Sequence, residues 1–377
     1  MSEDDTYTPM RIGARNPFVW AEHKLNEKIE WKNKDMKWED KQEKLEAAFD
    51  GRPYSELFDP IYGSPLFVQT GDVRPCTTVS NPTWAINPAG SNYTKTSRAY
   101  NDLVQGDLPD CYFIAALSSI AFVAVTIPNP NLIPDKPNQP YTYTFYNSPT
   151  QAASVTVTNL LPLDANSNYH YSKSYTLGEI WPAMYEKAFA KWKGSVTDDK
   201  PDYSIICQGD PLLALMNLTG WKFTTFIPGP GADPATSTAT RYSTQDFTTG
   251  TQIFDKIKNY ACKPLGPVYR VAKFPMVAYT YPTAPPGITY SNATIVANHS
   301  YSVLGVHTLG ADTYIVMRNP WGQKGAGYGS GDPVFPGALA SGAWWNVVDL
   351  ADVNDAIFAL KTDVFRNYFK GFGWVSP

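Results

Sequence analysis

The residues best suited to nucleophilic chemistry in this chain are its cysteines. There are four, without the CxxC or CxxH spacing of zinc sites or the density of a disulfide scaffold: Cys76, Cys111, Cys207 and Cys262. Cys111 differs because Pro109 and Asp110, which are good helix-start signals, directly precede it. Backbone N–H groups and the helix dipole at such a position favour a thiolate. We therefore take Cys111 as the candidate nucleophile and expect the others to be inert, reduced thiols.

The segment before Cys111 supplies a candidate donor for an oxyanion. Gln105 lies six residues upstream, on the stretch that turns into the helix. From there its side-chain amide can point at the same place as the backbone N–H of Cys111. Acyl transfer requires donors aimed at one developing oxyanion, and this pair would supply two of them.

A thiol nucleophile needs a base, and the sequence offers only four histidines. Two of them, His299 and His307, lie eight residues apart in a strand-like run, so the two-residue period of a strand cannot choose between them. Their positions differ, however. His299 lies at the start of the strand, after a long loop, where its side chain can face a cleft, whereas His307 lies at the other end of the strand. We therefore predict that His299 is the base.

The next strand carries a third candidate. The run from Tyr314 to Arg318 reads as a strand and delivers Asn319, twenty residues after His299. A hairpin of that length sets Asn319 beside His299. Because the carbonyl of an asparagine can hold an imidazole in the tautomer that faces the thiol, the sequence predicts a Cys-His-Asn triad.

The elements that must position these residues fall into a helical half followed by a sheet half. From Cys111 to Phe122 the residues are apolar or small on every side, which predicts a helix in the middle of a domain. A second helix is indicated by residues at helical spacing that end before Gly194: Trp181, Met184, Tyr185, Ala188 and Trp192. After Gly266 the character changes to β-rich runs, so the second half is expected to be mainly sheet.

This order divides the chain into three predicted segments. Residues 1–57 form an N-terminal extension, in which an apolar stripe among Lys and Glu predicts a helix from Trp20 to Phe49. A helical stretch leads into Thr219-Gly220, where we place the boundary between two subdomains. The Cys-bearing helical subdomain and the His/Asn-bearing β subdomain are then residues 58–220 and residues 221–377.

Composition narrows the range of partners. The 377 residues are 43% hydrophobic and 18% charged, which is typical of a globular chain. A net charge of −4 offers no field that would gather nucleic acid or an anionic membrane. No stretch approaches about 18 consecutive apolar residues, so no membrane-spanning helix is predicted. The acidic start, without an apolar region after it, predicts a cytoplasmic protein.

Several blocks of the sequence match motifs of one protein family. They correspond to its Gln-Gly-x-Leu-Gly-Asp-Cys-Trp, Glu-Lys-Ala-Tyr-Ala-Lys, Leu-Thr-Gly, His-Ala-Tyr-Ser, Arg-Asn-Pro-Trp-Gly and closing Phe-Trp motifs. In this chain the blocks are Gln105 to Tyr112, Glu186 to Lys191, Leu218 to Gly220, His299 to Ser302, Arg318 to Gly322 and Trp344-Trp345. On these residues the chain resembles the calpain family of papain-fold cysteine peptidases.

The resemblance implies a fold and further site residues. The expected fold is α+β and papain-like, with a helical subdomain followed by an antiparallel β subdomain and the active-site cleft between them. Trp321, next to Asn319, would shield the contact between His299 and Asn319 from water. Two departures lie beside the nucleophile: Pro109 replaces a Gly of the motif and Tyr112 replaces its Trp. Since proline cannot adopt a positive φ, the turn before the helix must differ wherever the family uses that freedom.

The resemblance also implies calcium sites. Asp102 matches an acidic ligand of the first site and Asp332 an acidic ligand of the second. The partner carboxylates are replaced, since Thr197 stands where the first site has a Glu, beside Asp198 and Asp199, and the second site has also lost a Glu. Calcium prefers six to eight oxygen ligands with several carboxylates. We therefore expect no required cofactor and keep calcium as a candidate ligand.

These features predict an intracellular cysteine endopeptidase that hydrolyses protein or peptide substrates through an acyl-enzyme. One alternative is a catalytically impaired member of the fold that acts as a protein-binding module. Another is an acyl transferase that passes the acyl group to an amine. The oligomeric state stays open.

Overall fold

The computed structural model describes these residues: 76, 82–86, 100–123, 141–164, 167–176, 178–226, 247–265, 269–282, 284–290, 295–322 and 356–377. The predictions made for the helix from Trp20 to Phe49, for Asp332 and for the motif at Trp344-Trp345 lie outside these ranges.

The helix that begins at the candidate nucleophile is the central element. This helix, α1 (Cys111–Val123), is buried along its whole length, as its lack of a polar face predicts. It begins directly after Asp110, whose backbone carbonyl accepts from the amides of Phe113 and Ile114 at 2.8 and 3.2 Å. The start predicted from Pro109 and Asp110 is therefore confirmed.

Of the other described helices, one is as long as α1 and the rest are shorter. They are α2 (Trp181–Lys193), a 3-10 helix (Tyr203–Ile206), α3 (Pro211–Thr219), α4 (Gly250–Lys256) continued by a π-helical turn (Ile257–Ala261), and α5 (Thr362–Tyr368). The predicted end of α2 before Gly194 is confirmed. Helix α3 ends at Gly220, which adopts φ 72° as its C-cap.

The described strands divide between the two halves. Those of the first half pair two by two: β1 (Thr83–Ala85), β2 (Leu103–Val104), β3 (Tyr141–Ser148), β4 (Gln151–Val157), β5 (Leu161–Leu163) and β6 (Lys173–Ser174). Those of the second half are β7 (Lys222–Phe226), β8 (Cys262–Leu265), β9 (Tyr269–Thr280), β10 (Ser300–Leu309), β11 (Asp312–Arg318), β12 (Ile357–Lys361) and β13 (Phe369–Ser376).

All the described strands of the second half join one antiparallel sheet. Its order is β12-β11-β10-β9-β13-β7, with β8 paired to β9. Strands β10 and β11 form the hairpin that the sequence predicts, with His307 opposite Tyr314 and Ser302 opposite Arg318. The predicted fold class is confirmed: the fold is α+β, with the helical half before the sheet half. The three segment boundaries stay predictions.

Helix α1 packs against strands β9 and β10, so the two halves meet along it. The Ser302 hydroxyl on β10 donates to the carbonyl of Ala115 at 2.7 Å. The Ser119 hydroxyl donates to the carbonyl of Met276 on β9 at 2.8 Å and accepts from its amide at 2.7 Å. These buried bonds fix the helix along the sheet without any charged group.

One expectation about the cysteines is wrong. Cys207 forms a disulfide with Cys76, across a Cα–Cα distance of 5.6 Å that is normal for such bonds. The two residues are 131 positions apart, and no spacing in the sequence links partners over that range. Cys111 and Cys262 remain thiols, both buried.

None of the described helices has the length and apolar character needed to cross a membrane.

Candidate active site

Cys111 and His299 each lie a few residues from one direct contact between α1 and β10. The Ser302 hydroxyl of β10 donates to the carbonyl of Ala115 on α1. Cys111 lies one helical turn before Ala115, and His299 lies three residues before Ser302. One turn further along α1, Ser119 bonds to Met276 of β9, which is paired with Val303, so α1 crosses from β10 toward β9.

The backbone around His299 is held in an unusual conformation. Asn298, directly before it, adopts φ 53°, a left-handed conformation that is uncommon outside glycine. The amide of His299 donates to the hydroxyl of Thr280 at 3.0 Å, and the amide of Thr280 donates to the carbonyl of His299 at 3.0 Å. Backbone strain that is held by its surroundings in this way is characteristic of functional sites.

The imidazole of His299 bonds to Asn319. Its Nε2 lies 2.9 Å from Oδ1 of Asn319, and both side chains are buried. Since an amide oxygen only accepts, Nε2 carries the hydrogen of the neutral ring. The backbone amide of Trp321 also donates to Oδ1 of Asn319, at 3.1 Å. Asn319 therefore fixes the tautomer and leaves Nδ1 of His299 as the basic nitrogen.

Two aromatic rings enclose the imidazole. The Trp321 ring lies 4.8 Å from His299 between centroids, at an interplanar angle of 48°. The Tyr301 ring lies 4.9 Å away and is nearly perpendicular, at 86°. Trp321 follows Asn319 in the block from Arg318 to Gly322, and Tyr301 belongs to the block from His299 to Ser302. Both rings therefore pack against the imidazole that bonds to Asn319.

Asn319 itself is placed by a tight turn after β11. The amide of Gly322 donates to the carbonyl of Asn319 at 3.2 Å, and Gly322 adopts φ 73°. A Cβ at Gly322 would lie 2.7 Å from the side chain of Val104, so this position combines positive φ with close approach to the Cys-bearing half. The amide of Asn319 donates to the carbonyl of Ala356 at 3.0 Å.

The same turn interlocks with the loop that carries Gln105. Arg318 is buried, and its guanidinium donates to the carbonyls of Leu103 at 2.6 Å and Asn101 at 3.3 Å. The amide of Gln105 donates to the carbonyl of Pro320 at 2.9 Å. In this turn, residues 318, 320 and 322 thus contact the segment from Asn101 to Gln105. The two residues between them, Asn319 and Trp321, contact His299, so the turn joins the Gln105 loop to the histidine.

The side chain of Gln105 has a defined orientation. It is 6% exposed, and its Nε2 donates to the carbonyl of Leu108 at 2.7 Å. An amide nitrogen carries two hydrogens, so this bond fixes the group and leaves a second N–H for a ligand. Gly106, the next residue, packs on the backbone of Tyr171, where an added Cβ would lie 2.2 Å from a carbonyl oxygen.

The substitution at Tyr112 has a local partner. The Tyr112 ring lies against Gly209, where an added Cβ would come within 2.4 Å of it. The chain therefore has room for a tyrosine in this place because the facing residue has no side chain.

His307 lies away from this constellation. It is opposite Tyr314 near the far end of the β10–β11 hairpin, and burial lowers the pKa of its ring. The structure brings His299 together with Asn319 and does not bring His307 there.

The residues suggested for calcium have other partners. Asp102 accepts from the indole N–H of Trp181 at 3.3 Å and from the hydroxyl of Thr176 at 3.4 Å. Asp199 bonds to the ammonium of Lys187 at 2.7 Å. Calcium is held by oxygen ligands and is repelled by an ammonium group. Within the described ranges no group of three or more acidic, His or Cys side chains is placed to hold a metal. Asp102 and Asp199 are instead engaged by donors of the chain itself.

Sequence reasoning missed three positioning residues: Thr280, Tyr301 and Arg318. Arg318 contacts carbonyls more than 200 residues away along the chain, and Thr280 reaches His299 through the pairing of β9 with β10, which the sequence analysis did not predict. Tyr301 could have been found, because it lies two residues after His299 and a strand places it on the same face.

Comparison with known proteins points in one direction. The model of the calpain family cysteine proteases matches residues 83–330. A thiol protease of Porphyromonas gingivalis (strain ATCC BAA-308 / W83) is 28% identical over 296 residues, which cover 72% of this chain and 53% of that protein. The calpain clp-4 of Caenorhabditis elegans is 26% identical over 292 residues, which cover 72% of this chain and 34% of that protein.

A third relative is the calpain-type cysteine protease DEK1 of Arabidopsis thaliana. It is 23% identical over 231 residues, which cover 59% of this chain and 9% of that protein. The chain thus spans about half the length of the bacterial relative and smaller parts of the other two.

Proposed function

The chain belongs to the calpain family of cysteine proteases, and we propose on this basis that it is an active endopeptidase with Cys111, His299 and Asn319 as its triad. The observation that supports the proposal best is the 2.9 Å bond between Nε2 of His299 and Oδ1 of Asn319. This bond holds the tautomer in which Nδ1 is the basic nitrogen that a thiol requires.

In the first step, His299 removes the proton of the Cys111 thiol through Nδ1 and becomes an imidazolium. The amide oxygen of Asn319 accepts from Nε2 in both protonation states, so the ring keeps its orientation when it becomes charged. The thiolate then attacks the carbonyl carbon of the scissile peptide bond.

The attack places a negative charge on the carbonyl oxygen. The backbone N–H of Cys111 and the second N–H of Gln105 are the proposed donors to this oxyanion. Because Leu108 already holds the Gln105 amide at 2.7 Å, the donor does not need to reorganise during the reaction. The backbone amide of Gln105 donates to the carbonyl of Pro320, the residue after Asn319. The same turn therefore holds the oxyanion donor and the residue that orients His299.

The tetrahedral intermediate collapses when the imidazolium of His299 gives its proton to the leaving amine. The C–N bond breaks and a thioester to Cys111 remains. A water molecule, deprotonated by His299, attacks the thioester and releases the acid product and the thiol. Trp321 and Tyr301 limit the access of other water to the His–Asn bond.

The proposed substrates are proteins or peptides, and no cofactor is required by these steps. A cytoplasmic location stays a prediction. The Cys76–Cys207 disulfide favours the opposite environment, because such bonds persist mainly in oxidising compartments.

The test is the cleavage of a peptide library by the parent chain and by two matched variants. Cys111→Ala is expected to reduce the rate by about 10⁴-fold or more. Cys262→Ala, which removes the other buried thiol, should keep the parent rate. Activity retained by Cys111→Ala would refute the triad, and a parent that cleaves nothing would favour the binding-module alternative. Products analysed with an added amine separate hydrolysis from acyl transfer.

A further inference from the structure

Two carboxyl groups meet immediately behind the candidate nucleophile. Asp110 is the residue before Cys111, and Glu186 lies on α2, which packs nearby. Both side chains are buried, at 0% and 1% exposure. Three residues after each of them, Phe113 and Phe189 stack with ring centroids 4.2 Å apart, so the two helices meet here and bring the acids close enough for the charge of Asp110 to act on Glu186. Neither has a part in the reaction steps above. Two ionised carboxylates in contact inside a protein repel strongly, so such pairs retain a proton.

The environment of Glu186 supports one shared proton. Both its oxygens lie near the amide of Ser172, at 3.2 and 2.9 Å. Burial raises the pKa of Glu186 well above its ordinary value, the charge of Asp110 raises it further, and the Ser172 amide only partly opposes this.

Several ionisable groups near the pair are acids as well. Tyr112 and Cys111 face it from α1, and Tyr203 faces it from the 3-10 helix. The pKa values of both tyrosines are raised, first by burial and then by charges that include those of the pair. Asp199 adds to the charge felt by Tyr203. None of these groups supplies a positive charge that would let both carboxyls ionise.

The pair connects the parts of the site that bind the reacting atoms. Asp110 begins α1 through its carbonyl, so its position sets that of Cys111. Ser172, which holds Glu186, follows Tyr171, whose backbone packs on Gly106 beside Gln105. A continuous path therefore runs from the oxyanion donor Gln105, through Ser172, Glu186 and Asp110, to Cys111.

We propose that Asp110 and Glu186 share one proton in the working enzyme and that this proton is a positioning device, which keeps Cys111 and Gln105 aligned. The inference rests on the proposed function, since the aligned groups are its nucleophile and its oxyanion donor. Loss of the shared proton would place two negative charges in contact and push α1 away from α2.

The sign of the pH dependence follows from linkage. Since the folded chain holds a proton on the pair that the unfolded chain has released, folding takes up a proton above the ordinary glutamate pKa of about 4.3. Stability attributable to the pair is therefore full at low pH and falls as pH rises, until the pair itself loses the proton. Over that window the unfolding equilibrium constant rises by up to about tenfold per pH unit.

The test compares the parent with Glu186→Gln, whose amide copies the protonated acid by donating to Asp110. We expect the unfolding equilibrium constant of E186Q to rise less with pH than that of the parent, by up to about tenfold per pH unit. The matched control is Glu179→Gln, which replaces another buried glutamate, one that accepts from the Ser174 hydroxyl at 3.1 Å. E179Q should keep the parent slope.

The positioning role has its own readout. In the parent we expect kcat to fall at alkaline pH when the pair loses its proton, and in E186Q this limb should move to higher pH while KM and the acid limb stay unchanged. Equal stability slopes for parent and E186Q would overturn the shared proton. Different slopes with an unmoved alkaline limb of kcat would overturn the positioning role.

A second measurement does not depend on the folding of a variant. At neutral pH, all ordinary carboxyls are ionised, so the infrared carbonyl band of a protonated carboxyl in the parent reports the pair. Absence of this band overturns the proposal. A band in a parent chain that cleaves no peptide would instead refute the proposed function while keeping the proton on the pair.

Discussion

Glu186 and Lys187 are neighbours on α2, and they face opposite surroundings. Glu186 points toward the start of α1 and meets Asp110, a second acid. Lys187 points away and donates to the carbonyls of Thr158 at 2.9 Å and Leu160 at 2.7 Å, and to Asp199 at 2.7 Å. One side therefore pairs like charges and the other pairs opposite charges.

This difference separates a candidate functional region, around Glu186, from a structural ion pair, around Lys187. Burial would raise the pKa of Asp199, but hydrogen bonds from Lys187 and Thr158 outweigh it and hold the pKa below its ordinary value. On the other side, burial and a like charge raise the pKa of Glu186. Arrangements that raise the pKa of a buried acid are frequent at functional sites, whereas satisfied ion pairs are ordinary structure. Changes on the Glu186 side should move activity, and changes on the Lys187 side should move stability.

The largest effect is expected at the base. His299→Ala should reduce the rate of peptide cleavage by about 10⁴-fold, because no other described group can take the proton of Cys111. His307→Ala removes a similarly buried ring from the far end of β10 and should lose little activity. Steady-state kinetics of the two variants decides between them. The reverse result would mean that the wrong histidine was chosen.

Lys187→Met should show the opposite behaviour. Its buried ammonium holds Asp199 and two carbonyls, so its loss should cost about 3 kcal/mol of the free energy of unfolding and leave kcat near the parent value. Lys191→Met is the matched control, since its ammonium is 3.8 Å from Asp199 and more exposed, and it should cost less. Denaturant titration measures both. A large loss of kcat in a folded Lys187→Met chain would break the distinction between the two sides.

The disulfide sharpens the comparison because it is a covalent support in the first half of the chain that involves no charge. Reduction of the Cys76–Cys207 bond should cost about 2–4 kcal/mol and lower Tm. The Cys76→Ser/Cys207→Ser double variant should have the lower Tm at once and show no response to dithiothreitol. A Tm of the parent that does not change with reductant would contradict a stabilising role.

The smallest effect concerns acid. Since the folded pKa of Asp199 is depressed, its contribution to stability is full above the ordinary value of about 3.9 and is lost as pH falls through the folded value. The parent should therefore lose stability in acid more steeply than Asp199→Asn. Thermal unfolding at a series of acidic pH values measures this. The contribution of Asp199 to stability thus falls as pH falls, whereas that of Glu186 falls as pH rises. If both contributions changed with pH in the same direction, the contrast between the two sides would be wrong.

The sequence predicted features that depend on local pattern. The apolar run after Asp110 predicted α1 and its start, and the helical spacing before Gly194 predicted α2. The strand ending at Arg318 predicted the hairpin that brings Asn319 to His299. In each case the signal lies within about twenty residues of chain.

Features set by distant contacts were not predictable in this way. Asp199 was weighed as a calcium ligand, since the sequence does not reveal that Lys187 occupies its carboxylate. The partners of Arg318 and of Cys207 lie more than a hundred residues away. The like-charged pair of Asp110 and Glu186 was equally hidden, although both residues belong to recognised motifs. Only the packing of α1 on α2 brings the two acids together.

The central claim is that Cys111 is a thiol activated by His299, and labelling by a peptide vinyl sulfone tests it most directly. The probe forms a thioether only with a nucleophilic thiol, and digestion followed by mass spectrometry locates it. We predict labelling of Cys111 in the parent, loss of labelling in His299→Ala, and no labelling of Cys262. An unlabelled Cys111, or labelling that persists at the parent rate in His299→Ala, would contradict the account.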